Sequence, residues 1–66
     1  MEWQIFMEEW DRFHRLELLP FIKKTNYNTR KEINHLLTDM KSSLKWCRYN
    51  ECVRIKEKLQ LILNQQ

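Results

Sequence analysis

The chain is short, with 66 residues, and it combines 42% hydrophobic and 32% charged residues with one proline, no glycine and a net charge of +3. This composition is too apolar and too aromatic for a disordered tail, and it lacks the glycines that the tight turns of most β-sandwiches and barrels use. No apolar run approaches the ~18 residues of a membrane span, and the acidic N-terminus has no signal-peptide pattern. We therefore expect one all-α domain over residues 1–66, inside the cell (cytoplasm or nucleus) and part of a larger protein.

The first predicted helix covers residues 2–19 and carries a stripe of aromatic side chains. Four rings follow one another at spacings of three, four and three residues, which places them on one face of a helix: Trp3, Phe6, Trp10 and Phe13. Met7 and Leu16 are expected to widen this stripe. Pro20 should end or kink the helix, because proline lacks the amide hydrogen and its ring clashes with the preceding turn.

The second predicted helix covers residues 29–47, after a connection at 25–28 that contains two asparagines. Thr29-Arg30-Lys31-Glu32 matches the capping box, in which Thr29 and Glu32 each bond the backbone amide of the other. The apolar positions that follow have a helical period: Ile33, Leu36, Leu37, Met40, Leu44 and Cys47.

The third predicted helix covers residues 51–64. The apolar pattern fails after Cys47, since its extension would place Glu51 on the core stripe, and a new phase begins at Cys52. A tight turn at 48–50 with Asn50 as the cap explains this change. A continuous helix over 29–64 is the alternative, but it would have to change its buried face in mid-course. We therefore predict a small three-helix bundle in which helices 2 and 3 form a tight hairpin and helix 1 packs across it.

The stretch from Ile33 to Leu63 resembles the helical hairpin of tetratricopeptide repeats. Tyr49, Cys52 and Leu59 fall roughly where that pattern has a tyrosine, a small residue and an alanine-like residue. The glycines and the first-helix tryptophan of the pattern are absent, and only one copy fits in the chain. The resemblance therefore implies a helical hairpin and no more.

The aromatic stripe supports two interpretations, a core face or a face that binds a partner. Eight large rings are many for a chain this size, so some aromatic surface should stay exposed and mark an interaction site. The functional hypothesis is a non-catalytic interaction module (a scaffold, adaptor or oligomerisation domain) that binds another protein or a second copy of itself. Its expected contact residues lie on helix 1: Trp3, Phe6, Trp10, Phe13 and Glu9.

Nucleic-acid binding is the alternative function. Residues 1–20 hold five acids and two bases, whereas residues 21–66 hold ten bases and four acids, so the charge is −3 in the first part and +6 in the second. A basic face could contact phosphates through helices 2 and 3: Lys41, Lys45, Arg48, Arg54 and Lys58.

Enzyme, metal and cofactor functions have little support in the sequence. Ser42 and Ser43 have no neighbouring base in their helix, and a chain without glycine has no phosphate-cradling loop of the Walker or dinucleotide type. His14, His35, Cys47 and Cys52 do not have the compact spacing of a zinc site, and we expect both thiols to be reduced. We expect no catalytic residue, no metal, no cofactor, no small-molecule substrate and no membrane contact.

Overall fold

The computed structural model describes residues 2–65, which form a three-helix bundle. Helix α1 (Glu2–Phe13), a π-helical segment (His14–Leu18) and α2 (Leu19–Lys24) follow one another without a break and are called the N-terminal helix here. Helices α3 (Tyr27–Lys45) and α4 (Tyr49–Gln65) form the predicted hairpin, and the N-terminal helix packs across it. The described chain is 92% helical, so the predicted fold class is confirmed. The N-terminal helix, from Glu2 to Lys24, spans about 34 Å at the usual rise per residue. This length matches the 35 Å long axis of the bundle.

The N-terminal helix does not end at Pro20, which was one of the two outcomes expected from the sequence, but continues to Lys24. The reason lies in the π-helical segment, where the amide of Leu19 donates to the carbonyl of His14, five residues back. The wider turn places Pro20 in the first turn of α2, where a missing amide hydrogen is tolerated. The wider turn also changes which side chains of the N-terminal helix face the core. Phe13 and Leu18 are five residues apart, and both are buried because the π turn brings them to the same side, while Leu16 is exposed instead of widening the stripe.

The connection between α2 and α3 is shorter than predicted, and its cap is a different residue. The side chain of Asn26 accepts a hydrogen bond from the amide of Thr29 at 2.8 Å, so Asn26 is the N-cap and Thr29 lies inside α3. Arg30 then reaches back across the connection. Its guanidinium donates to the carbonyl of Ile22 and to that of Thr25, both at 3.1 Å, and so satisfies acceptors at the end of the preceding helix.

Replacement of Arg30 by alanine is expected to lower the free energy of unfolding by about 1–2 kcal/mol, because two partly buried carbonyls lose a charged donor. Arg30→Lys should recover only part of this loss, since an ammonium cannot reproduce the planar fork that reaches both oxygens. Urea denaturation followed by circular dichroism measures the difference. Lys31→Ala, at an exposed neighbouring position, is the matched control, and equal effects of the two alanine variants would contradict the assignment.

The turn between α3 and α4 is centred on Cys47 and lies about two residues earlier than predicted. Cys47 adopts a left-handed conformation with φ 55°, and its amide donates to the carbonyl of Leu44. The amide of Arg48 donates to the carbonyl of Ser43 at 2.9 Å, which completes a Schellman motif. Cys47 is therefore exposed in the turn instead of on the core stripe, and Asn50 lies within α4 instead of capping it.

Replacement of Cys47 by glycine is expected to raise the free energy of unfolding by about 0.5–1 kcal/mol. The left-handed conformation is strained for a residue with a Cβ atom and costs glycine nothing, although glycine also gains freedom in the unfolded chain. Because the domain is small, the melting temperature should rise by a few degrees. Cys47→Ala, which removes the thiol but keeps the Cβ atom, should show no such gain; a similar rise in both variants would contradict the backbone explanation.

The core is formed by side chains from all three helices. Leu18, Ile33, Cys52 and Leu59 have no exposed surface, and Met40 has almost none. The one buried polar side chain among the described residues is Ser43, whose hydroxyl donates to the carboxylate of Glu51 on α4 at 3.2 Å. Half-buried apolar residues surround this centre: Trp3, Phe21, Ile22, Leu36, Leu37, Leu44, Tyr49, Val53, Ile62 and Leu63.

Candidate protein-interaction surfaces

Most of the aromatic stripe on α1 lies in the core of the bundle. Phe6, Trp10 and Phe13 are buried, whereas Trp3 is half-buried and Glu9 is exposed. Trp10 packs beside Phe13 and His14, with ring centroids 6.0 and 5.4 Å away. Of the residues that were expected to contact a partner, only Trp3 and Glu9 therefore have substantial surface to offer without a change in the fold.

An aromatic surface forms where the start of α1 meets the α3–α4 turn. The ring of Trp3 stacks on Phe6 at 5.8 Å and meets the edge of Tyr49 at 5.5 Å, so Tyr49 joins α4 to the stripe. Trp3 and Tyr49, together with Glu2 and Cys47, line an open cleft of about 550 Å³. This end of the bundle, with Trp3, Trp46 and Tyr49, is called the aromatic end.

Trp46 is the most exposed tryptophan of the chain, with 65% of its surface accessible. It occupies the C-cap of α3, directly before the left-handed Cys47, at the point where α3 ends. The ammonium of Lys45 lies 5.7 Å from the ring centroid, within the range of a cation–π contact. The helical period of α3 offered a signal for this exposure, since Trp46 falls outside the apolar stripe.

The five residues of the predicted basic face do not form one surface. Lys41 lines a cleft between the N-terminal helix and α3, next to Trp10. Arg54 and Lys58 line a cleft on the α3–α4 seam that also contains Asp39 and Glu51. Arg48 forms an ion pair with Glu51 at 3.6 Å, and Lys45 lies over Trp46. The basic charge is thus divided between two sides of α3 and partly balanced by acids.

A second apolar surface lies between α3 and α4 at the end of the bundle opposite the turn. This hairpin groove has a volume of about 650 Å³, and Leu36 and Ile62 lie half-buried within it. Leu61 is exposed along its edge, and Lys31 and Lys58 stand on opposite helices. Periodicity alone could not locate this groove, because a groove between two helices depends on their relative position, which the apolar pattern of each helix does not determine.

The cysteines and histidines do not form a site together. Burial raises the pKa of the Cys52 thiol, with smaller contributions from the charges of Glu51 and Cys47, so this group stays protonated and unreactive. Cys47 is exposed and free. Within residues 2–65, no three histidine, cysteine, aspartate or glutamate side chains are grouped so that they could hold a metal ion.

Two further findings bear on function. Among the helices of residues 2–65, none has both the length and the apolar character that crossing a membrane requires. No protein family, no curated protein and no solved structure matches this chain, so the functional proposal depends on the surfaces described above.

Proposed function

We propose that this chain is a non-catalytic helical protein-interaction module that acts inside the cell and binds another protein through the aromatic end. The observation that supports this proposal above all is the exposure of Trp46 at the end where Trp3 and Tyr49 line a cleft. Tryptophan and tyrosine are enriched among the residues that dominate binding energy in protein interfaces. Trp46 is next in sequence to Cys47, which lines this open cleft, so the exposed indole and the cleft together suit an apolar pocket or helix face on a partner.

The packing beneath the aromatic end favours binding without rearrangement. Trp3 and Tyr49 are held by contacts with the buried ring of Phe6, so a partner would not have to order them. The ammonium of Lys45 lies over one face of the Trp46 ring and leaves the rest of the indole exposed. The buried part of the aromatic stripe thus supports the exposed rings. The proposed contact with a partner lies at the start of α1 and at the α3–α4 turn, not in the middle of α1 as the sequence suggested.

The proposal can be tested through Cys47, which lines the cleft and is the exposed thiol of the two. A photo-reactive maleimide on Cys47 should cross-link a specific protein in cell extract. The same reagent on a Cys47→Ser, Glu17→Cys variant, whose label lies elsewhere on the N-terminal helix, should not. Capture of nucleic acid in place of protein would favour the alternative function.

The partner that the cross-link identifies is then purified without the label, and its affinity for variants of this chain shows whether Trp46 anchors the complex. Trp46→Ala should weaken the affinity by about tenfold or more, because removal of a central aromatic anchor costs over ~1.4 kcal/mol. Leu16→Ala, at a similarly exposed position on the N-terminal helix, is the matched control and should leave the affinity within about twofold. Equal binding by the two variants would contradict the proposal.

A further inference from the structure

The hairpin groove has an apolar floor and two basic walls. Leu36, Leu61 and Ile62 supply the apolar surface, with Lys31 on the α3 side and Lys58 on the α4 side. Neither lysine forms an ion pair with another residue of the described chain, where the ion pairs are Asp11–Arg15 and Arg48–Glu51. Both ammonium groups are therefore available to carboxylates outside the chain.

The charge of the groove favours an acidic occupant. The lining of the groove holds two lysines and one acid, Glu32. Lys58 also borders the neighbouring cleft that contains Asp39 and Glu51, but it forms no ion pair with either of them. The hairpin around the groove has the same sign, since residues 27–65 hold eight basic and four acidic side chains. Charges of one sign at the rim of an apolar contact select and orient a partner of the opposite sign.

The shape of the groove favours a helix as the occupant. Its α4 wall extends from Lys58 to Gln65, about two helical turns or ~10 Å. An amphipathic helix places apolar side chains at intervals of three and four residues along such a groove. Exposed Leu61 and half-buried Leu36 and Ile62 would give these side chains an apolar contact, which a nucleic-acid backbone would not use.

We infer that the hairpin groove binds an acidic amphipathic helix of a partner protein, with the apolar ridge of that helix on Leu36, Leu61 and Ile62 and its carboxylates beside Lys31 and Lys58. This site is separate from the aromatic end, so the two surfaces could hold two different proteins. A small bundle with two docking surfaces at opposite ends acts as an adaptor.

The test uses two fluorescent synthetic helical peptides of about 15 residues. Both carry leucines at the same helical spacing, and they differ only in flanking glutamates or flanking lysines. The full chain should bind the glutamate peptide at least about tenfold more tightly in fluorescence anisotropy, and added salt should reduce the preference. Equal binding of the two peptides, or no saturable binding, would overturn the inference.

Charge reversal and apolar truncation locate the binding. Lys31→Glu/Lys58→Glu should weaken binding of the glutamate peptide by about tenfold or more and reverse the preference. The control Arg12→Glu/Lys41→Glu changes the net charge equally at exposed positions outside the groove and should change the affinity less than about twofold. Leu61→Ala should weaken binding severalfold, whereas Leu16→Ala should not.

Other outcomes distinguish the remaining occupants. If Leu61→Ala lowered the sedimentation mass of the chain alone, a second copy would occupy the groove and the inference would be wrong. Competition by an oligonucleotide, with no effect of Leu61→Ala, would also overturn it. Trp46→Ala should leave peptide binding unchanged, because Trp46 lies at the aromatic end, so failure here can be told apart from failure of the proposed function.

Discussion

Trp10→Ala is expected to unfold most of the chain, whereas Trp46→Ala should leave it folded. Trp10 is only 9% exposed and packs beside Phe13 and His14, so its truncation opens a large cavity between the N-terminal helix and α3. Such truncations cost about 3–5 kcal/mol. The core of a domain this small rarely supplies more than about 3–5 kcal/mol in total, so little folded protein should remain.

Urea denaturation of the two tryptophan variants, followed by far-ultraviolet circular dichroism, checks this prediction. The comparison holds the residue type constant and changes only its burial. Trp46→Ala should shift the unfolding free energy by less than about 0.5 kcal/mol, as expected for an exposed side chain. If Trp10→Ala stayed fully helical and cooperative, Trp10 would not be a core residue, and the aromatic stripe of α1 would again be a candidate partner face.

Leu59→Ala is expected to lower the free energy of unfolding by about 2–5 kcal/mol, the usual cost of truncating a fully buried leucine. Leu59 has no exposed surface and lies in the core cluster with Ile55 and Cys52. Leu61, two residues further along the same helix, is 57% exposed at the hairpin groove. Leu61→Ala should therefore cost less than about 0.5 kcal/mol.

Thermal unfolding of the two leucine variants measures the contrast, which also supports the binding experiments. Leucine and alanine are both good helix formers, so the helix propensity of α4 changes equally little in the two variants. A large loss in Leu61→Ala would mean that Leu61 stabilises the bundle, and its effect on peptide binding could then not be assigned to contact. A small loss in Leu59→Ala would contradict the packing of α4 against the other helices.

The positions of the three helices could be predicted because local patterns and tertiary packing agree there. Phe6, Trp10 and Phe13 follow a helical period on α1. Cys52, Ile55 and Leu59 follow one on α4. A stripe of this kind has to be buried against another helix, so the pattern leads directly to a bundle. The turn was predicted from the phase change near Cys47, and its position was correct to about two residues.

Helix ends were harder to predict, because several residues competed for each cap. Asn26 and Thr29 both suit an N-cap, and they are three positions apart in the sequence. The structure uses Asn26, which leaves Arg30 one turn inside α3, where it can reach the carbonyls of Ile22 and Thr25. The capping-box motif does not include the hydrogen bonds of Arg30, so the motif could not show whether Asn26 or Thr29 caps the helix.

The helical class, the apolar face of each helix and the large number of aromatic rings for a small core follow from the local sequence pattern. Which rings are exposed, and which surfaces they form, depends on how the helices pack against one another. Burial depends on the rotation of each helix about its axis and on the distance to its neighbours, and both result from contacts between residues distant in sequence. The π turn at His14–Leu18 illustrates the reason: one wider turn buries Leu18, exposes Leu16 and lets the helix pass Pro20.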